Sequence, residues 1–115
     1  MAKIEAKREF PDKAANECYQ VCVSLIDQAG YKIFKQRDLA NLVICNGEVA
    51  GAAVNLSIMV PFLGGPTSVN VNLSSSAADE NVLQAEADRI LDLIASKLED
   101  LLFEYNSRYE ILYLD

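Results

Sequence analysis

Residues 3–10 alternate in character: Lys3, Glu5, Lys7 and Glu9 fall on one side, and Ile4, Ala6 and Phe10 on the other. This is the period-2 pattern of a half-buried strand. Arg8 interrupts the apolar side, and near a strand end its aliphatic stem can cover core while its head reaches water. Pro11 and Asp12 predict a helix start, because proline is tolerated in the first turn and Asp favours the N-terminus. Ala14, Cys18, Val21, Cys22, Leu25, Ile26 and Ala29 then repeat at helical spacing. Gly30 predicts the stop, as a C′ glycine.

Residues 31–37 read as a second strand whose inward face the pattern leaves open, and residues 39–45 as a third. Asn46-Gly47 predicts a type I′ hairpin turn, which needs positive φ at both central positions. That turn sets Cys45 opposite Glu48, Ile44 opposite Val49, Val43 opposite Ala50 and Leu42 opposite Gly51. A fourth strand is expected over 48–62, a turn at Leu63-Gly64-Gly65-Pro66, and a fifth strand over 67–75. If Phe62 pairs with Thr67, one face joins Val60 to Val69, Ile58 to Val71 and Leu56 to Leu73. The other face joins Met59 to Asn70, Ser57 to Asn72 and Asn55 to Ser74. A one-residue slip would destroy this agreement.

Ser76-Ala77-Ala78-Asp79 has the form of a capping box with Asp in place of Glu or Gln. The helix behind it keeps Leu83, Ala87, Ile90, Leu91, Ile94, Leu98, Leu101, Leu102 and Tyr105 on one face. The segment 108–115, Arg-Tyr-Glu-Ile-Leu-Tyr-Leu-Asp, is aromatic and branched, which suits a strand. It is expected to dock on its own sheet or on a second subunit.

The predicted order is β-α-β-β-β-β-α, an α+β fold. It combines a five-stranded antiparallel sheet, with residues 3–10 beside the fifth strand, and two helices packed on one face. One domain is expected over residues 1–106, with 107–115 as a C-terminal tail. Gly30-Tyr31 at the entry to strand two, Asn46-Gly47, the run Val69-Asn70-Val71-Asn72-Leu73 and the long final helix carry a resemblance over residues 3–105. In these features the chain resembles the small helix-grip and TATA-binding-protein-like domains, including short bacterial domains of unknown function. The helix-grip resemblance implies a small apolar ligand between the long helix and the curved sheet. The TATA-binding resemblance implies DNA on the open sheet face. Neither brings a catalytic motif onto this sequence, and fold does not imply function.

Composition narrows the function classes. The 115 residues are 51% hydrophobic and 23% charged, as in a folded domain, and no apolar run approaches a membrane span. The basic N-terminus has no apolar segment behind it, so no secretory signal is expected. The cysteine count of three makes a disulfide framework unexpected; Cys18, Cys22 and Cys45 read as reduced core thiols, and the expected compartment is the cytoplasm. Ten basic residues against seventeen acidic ones, a net charge of −7, argue against nucleic acid. Lys3, Lys7, Arg8, Lys32, Lys35 and Arg37 read as a solvated edge.

Histidine is absent, which excludes Ser-His-Asp and Cys-His sites within this chain. Cys18 and Cys22 on one helix lack the matched ligands of a zinc site. Gly64-Gly65 is not followed by Lys-Ser or Lys-Thr, so it reads as a turn and not a phosphate loop. Asp79-Glu80 and Glu99-Asp100 read as helix-terminal charge. No catalytic residue, cofactor or metal is expected, and the chain reads as a non-enzymatic binding or assembly domain.

The second face of the sheet resists a plain solvent reading. Leu42, Ile44 and Val49 make one end of it apolar, while Asn55, Ser57, Met59, Asn70 and Asn72 make the rest polar without charge. Such a surface suits contact with something. Three readings stay open. Copies could meet through this face or exchange the tail with Tyr109, Ile111 and Tyr113, giving a homo-oligomer. The tail could instead fold back over the face, or a small apolar ligand or peptide could bind there or under the long helix.

Overall fold

The computed structural model describes the backbone of residues 1–61 and 64–114 and the side chains of those up to Glu99. The hairpin register read from sequence is the one the molecule adopts. Strand β4 (Ala52–Met59) pairs antiparallel with β5 (Ser68–Ser75), placing Asn55 opposite Ser74, Leu56 opposite Leu73, Ser57 opposite Asn72, Ile58 opposite Val71 and Met59 opposite Asn70. The expected pairing of Phe62 lies outside the described residues.

Strand β1 (Ala2–Glu9) runs antiparallel along the far side of β5, with Ile4 opposite Leu73 and Ala6 opposite Val71. Strands β2 (Tyr31–Arg37) and β3 (Leu42–Val49) complete a five-stranded sheet of order β1-β5-β4-β3-β2. Helix α1 (Ala15–Ala29) and helix α2 (Glu80–Leu114) pack on one face. Their stripes close on Val43, Cys45, Leu56, Ile58, Val69, Val71 and Leu73, all almost fully buried. At roughly 25 cal/mol per Å² of apolar surface, this single core is the main term holding the fold. Cys18, Cys22 and Cys45 are free thiols inside it.

The β3–β4 turn differs from expectation. Asn46 and Gly47 lie inside β3, and the chain reverses at Ala50-Gly51, with φ of 51° and 82°. Val49 therefore faces Ala52, Cys45 faces Leu56 and Ile44 faces Ser57. The reason is tertiary. Gly47 sits beneath the Tyr31 ring, and a Cβ built there would lie 2.5 Å from Tyr31 Cδ2. Its missing side chain makes room for an aromatic on the neighbouring strand, not for a tight turn. The longer strand also gains an eight-residue ladder with β4.

Other boundaries shift for similar reasons. Phe10-Pro11-Asp12-Lys13 is a turn closed by the Lys13 N–H donating to the Phe10 carbonyl at 3.0 Å, with proline at its favoured second position. Thr67 Oγ1 donates to the Lys13 carbonyl at 2.7 Å, and helix α1 starts only at Ala15. Gly30 ends it in the left-handed conformation (φ 94°), as expected. Residues 38–40, the last two of them expected to open strand three, form a 3-10 turn, because Asp38 Oδ1 accepts hydrogen bonds from Tyr19 and Gln36, each at 2.7 Å.

Before α2, Ser75 Oγ accepts from the Ala77 and Ala78 N–H groups, and Asp79 Oδ1 accepts from the Val82 N–H at 3.0 Å. Asp79 is thus the N-cap itself and not the third helical residue of a capping box beginning at Ser76. Helix α2 continues to Leu114, so residues 107–114, expected as a strand, are helical in backbone. The strand expectation rests on branched and aromatic residues, whose preference is weak against an established helix.

Candidate functional site: the open sheet face

Alternation along each strand and the inter-strand register build this face from three rungs. Lys3, Ser74, Asn55, Asn46 and Lys32 form one rung across the sheet. Glu5, Asn72, Ser57, Ile44 and Lys35 form the next, and Lys7, Asn70, Met59, Leu42 and Arg37 the third. Within these three rungs charge is confined to the edge strands, and Glu48 is the next open-face position along β3. The nine central positions on β5, β4 and β3 carry none.

Seven of the sequence-predicted residues (Leu42, Ile44, Asn55, Ser57, Met59, Asn70 and Asn72) are brought together here. Leu42 pairs with Met59, and Ile44 lies two residues along the same strand, so the three form one apolar patch. Leu42 and Ile44 are half-buried, and Met59 is 38% exposed. Val49 does not join them. Placed in β3 by the Ala50-Gly51 turn, it points to the helix-covered side and packs against the core. Leu42 and Ile44 keep their expected face because the true register differs from the expected one by an even number of positions. The side chains of Tyr109, Ile111 and Tyr113 lie outside the described residues.

Two shallow recesses open on this face. One, of about 350 Å³, is lined by Ile44, Asn55, Ser57, Asn72 and Ser74 together with β1 residues. The other lies between Glu5, Lys7, Met59, Asn70 and Asn72, and Asn70 Oδ1 there is buried without a hydrogen-bond partner. A buried amide oxygen left unpaired costs about 1–3 kcal/mol.

The remaining polar groups on the helix side are structural. Tyr31 Oη donates to Glu86 Oε2 at 2.5 Å, and Arg89 grips both oxygens of that carboxylate at 2.7 and 2.8 Å. Arg89 Nη2 also donates to the Ala29 carbonyl at 2.8 Å, which ties α2 to the α1–β2 corner. Burial pushes the Glu86 carboxyl upward, but the Arg89 and Tyr31 hydrogen bonds outweigh it and hold the group below its ordinary range. Burial raises the thiols of Cys18 and Cys45 to about 11 and that of Cys22 to about 12, so none is a nucleophile near neutrality.

No protein-family model matches the chain, and no curated protein sequence matches it. Solved structures do. TTHA0849 from Thermus thermophilus superposes with a TM-score of 0.54 at 9% identity, covering 90% of this chain and 99% of that one. The Zhui aromatase/cyclase from Streptomyces sp. R1128 superposes with a TM-score of 0.52 at 9% identity, covering 84% and 93%. The fold is helix-grip-like. At this identity the likeness concerns architecture alone. In the helix-grip-like arrangement of this chain, the layer between the two helices and the sheet is filled by Tyr19, Leu56, Ile58, Leu73, Leu83, Ile94 and Leu98. The described recesses instead lie on the open face and on the outer flank of α2. No described helix is long and apolar enough to cross a membrane.

One edge of the sheet has no counterpart among the sequence-predicted site residues. Ile33, Phe34 and Leu39 are exposed at 42%, 72% and 96%, all beside the outermost strand β2. The signal is two adjacent apolar residues between Lys32 and Lys35, a break in alternation that fits a bulge.

Proposed function

We propose that this chain is a non-catalytic binding or assembly domain whose open sheet face meets a second copy of itself. The observation that carries the reading is the uncharged centre of that face. Lys3, Glu5 and Lys7 on β1, Lys32, Lys35 and Arg37 on β2, and Glu48 at the end of β3 border nine neutral positions, among them the Leu42–Ile44–Met59 patch. Apolar centres framed by polar rims are the anatomy of protein contact surfaces. The absence of histidine and the raised thiols favour a non-catalytic role.

The test is light scattering behind size exclusion, from micromolar to millimolar protein. A dimer is expected, and the Ile44→Lys/Met59→Lys double variant is expected to be monomeric with an unchanged circular dichroism spectrum. A wild-type chain that stays monomeric throughout overturns the reading.

A second reading rests on the architecture shared with an aromatase/cyclase: a small apolar ligand held by the fold. Native mass spectrometry of freshly purified protein separates the two, since a retained mass adduct on a monomer supports the ligand and a doubled mass supports the dimer.

A further inference from the structure

We propose that β2 is a docking edge that takes an extended, acidic and apolar peptide segment of another protein as a sixth strand. Strand β2 is last in the sheet, so its outward N–H and C=O groups have no strand beyond them. After Tyr31 its six residues, Lys32 to Arg37, are all exposed. The register shifts between Ile33 and Lys35, which makes Phe34 a bulge residue turned out of the ladder.

A plain protected edge explains the bulge and the lysines, since both discourage pairing. It does not explain the apolar side chains. Of the five large hydrophobic residues exposed among those described, Ile33, Phe34 and Leu39 all lie within this strand and the turn after it. Phe34 and Leu39 bury little of their surface in the fold, and Ile33 leaves two-fifths of its own exposed. Strand addition uses such side chains as the pockets and contacts that confer specificity, while the main chain supplies the bonds.

Charge selects the occupant. Strand β2 carries Lys32, Lys35 and Arg37 with no acidic residue, on a chain whose net charge is −7. Asp38, next along, is engaged by Tyr19 and Gln36. Antiparallel pairing of β2 with β2 of a second copy would bring two strands of three cations each together, with Lys32 opposite Arg37 in the register symmetric about residues 34 and 35, which disfavours self-pairing at this edge. A segment alternating Asp or Glu with apolar residues would neutralise the cations and cover Ile33 and Phe34. The edge is therefore built for a partner different from the one proposed for the open face.

The probe is a fluorescein-labelled heptapeptide alternating aspartate and valine, read by anisotropy at low salt and by amide hydrogen exchange. Binding is expected to slow exchange at residues 32–37 and to weaken about tenfold or more in the Lys32→Glu/Lys35→Glu variant, whose sites are exposed and tolerant of change. The same variant should gain affinity for the matching lysine–valine peptide, with an unchanged circular dichroism spectrum to show that it is folded. The Met59→Ser/Asn70→Ser variant, which alters the open face on β4 and β5 without adding charge beside β2, should bind the aspartate peptide as the wild type does, so failure of the dimer reading leaves this result intact. No binding at millimolar peptide, or protection falling on residues 2–9 or on the open face, overturns the proposal.

Discussion

At the scale of single residues, Gly47 and Gly51 separate two roles that sequence alone does not distinguish. Gly51 supplies positive φ in a turn, and Gly47 supplies an absent Cβ beneath Tyr31. Gly47→Ala is expected to destabilise by about 1–3 kcal/mol through overpacking against the ring, measured by urea unfolding. Asn46→Thr, at an exposed mid-strand position, should change stability by no more than about 0.5 kcal/mol. Were Asn46-Gly47 the turn, Asn46→Thr would be the costly change of the two. The thiols give a second residue-scale test. Raised by burial and almost fully covered, Cys18, Cys22 and Cys45 should resist a disulfide reagent at pH 8 until denaturant is added. Rapid labelling of the native protein would contradict the packing.

At the scale of elements, the Glu86 carboxylate joins α2, β2 and the end of α1. Removing it leaves the Tyr31 hydroxyl without its acceptor and Arg89 with only the Ala29 carbonyl and solvent, and Glu86→Ala is expected to cost about 1–3 kcal/mol, since Arg89 is half exposed. The folded-state carboxyl is held below its ordinary 4.5. Its contribution is therefore complete above that value and is lost as pH falls through the lower folded-state value. Stability measured by denaturant titration should decline on acidification below about pH 5, and the decline should be shallower in Glu86→Gln. An identical slope in the two proteins would remove Glu86 from the linkage. By contrast, Arg8 reaches Asp92 at 2.9 Å on a partly solvated flank. That pair joins β1 to α2 but is expected to contribute no more than about 1 kcal/mol and to weaken with salt.

At the scale of the whole molecule, both helices cover one face, so the other must meet solvent or a partner. If the open face pairs two copies, association and folding are linked and the melting temperature rises with protein concentration. A melting temperature flat across a hundredfold dilution would count against the dimer. The outward backbone of β2 lies beyond that interface, whose rim Lys32, Lys35 and Arg37 form, so one chain could assemble with itself and still take up an extended strand.

Where periodicity was long and self-consistent, the sequence sufficed. The β4–β5 register follows from paired alternation, helix α1 ends where Gly30 allows a left-handed residue, and β1 shows its buried side in Ile4 and Ala6. These outcomes depend on side-chain period and local backbone freedom, which are properties of neighbours in the chain. The hairpin at Ala50-Gly51, the 3-10 turn at Asp38 and the side on which Val49 lies were decided by tertiary contacts. Tyr31 needs space over Gly47, and Asp38 is drawn to Tyr19; neither demand can be felt until strand and helix meet. The charge-free centre of the open face was legible residue by residue, but only the assembled sheet, with its edges set by strand order, shows that the cations frame it.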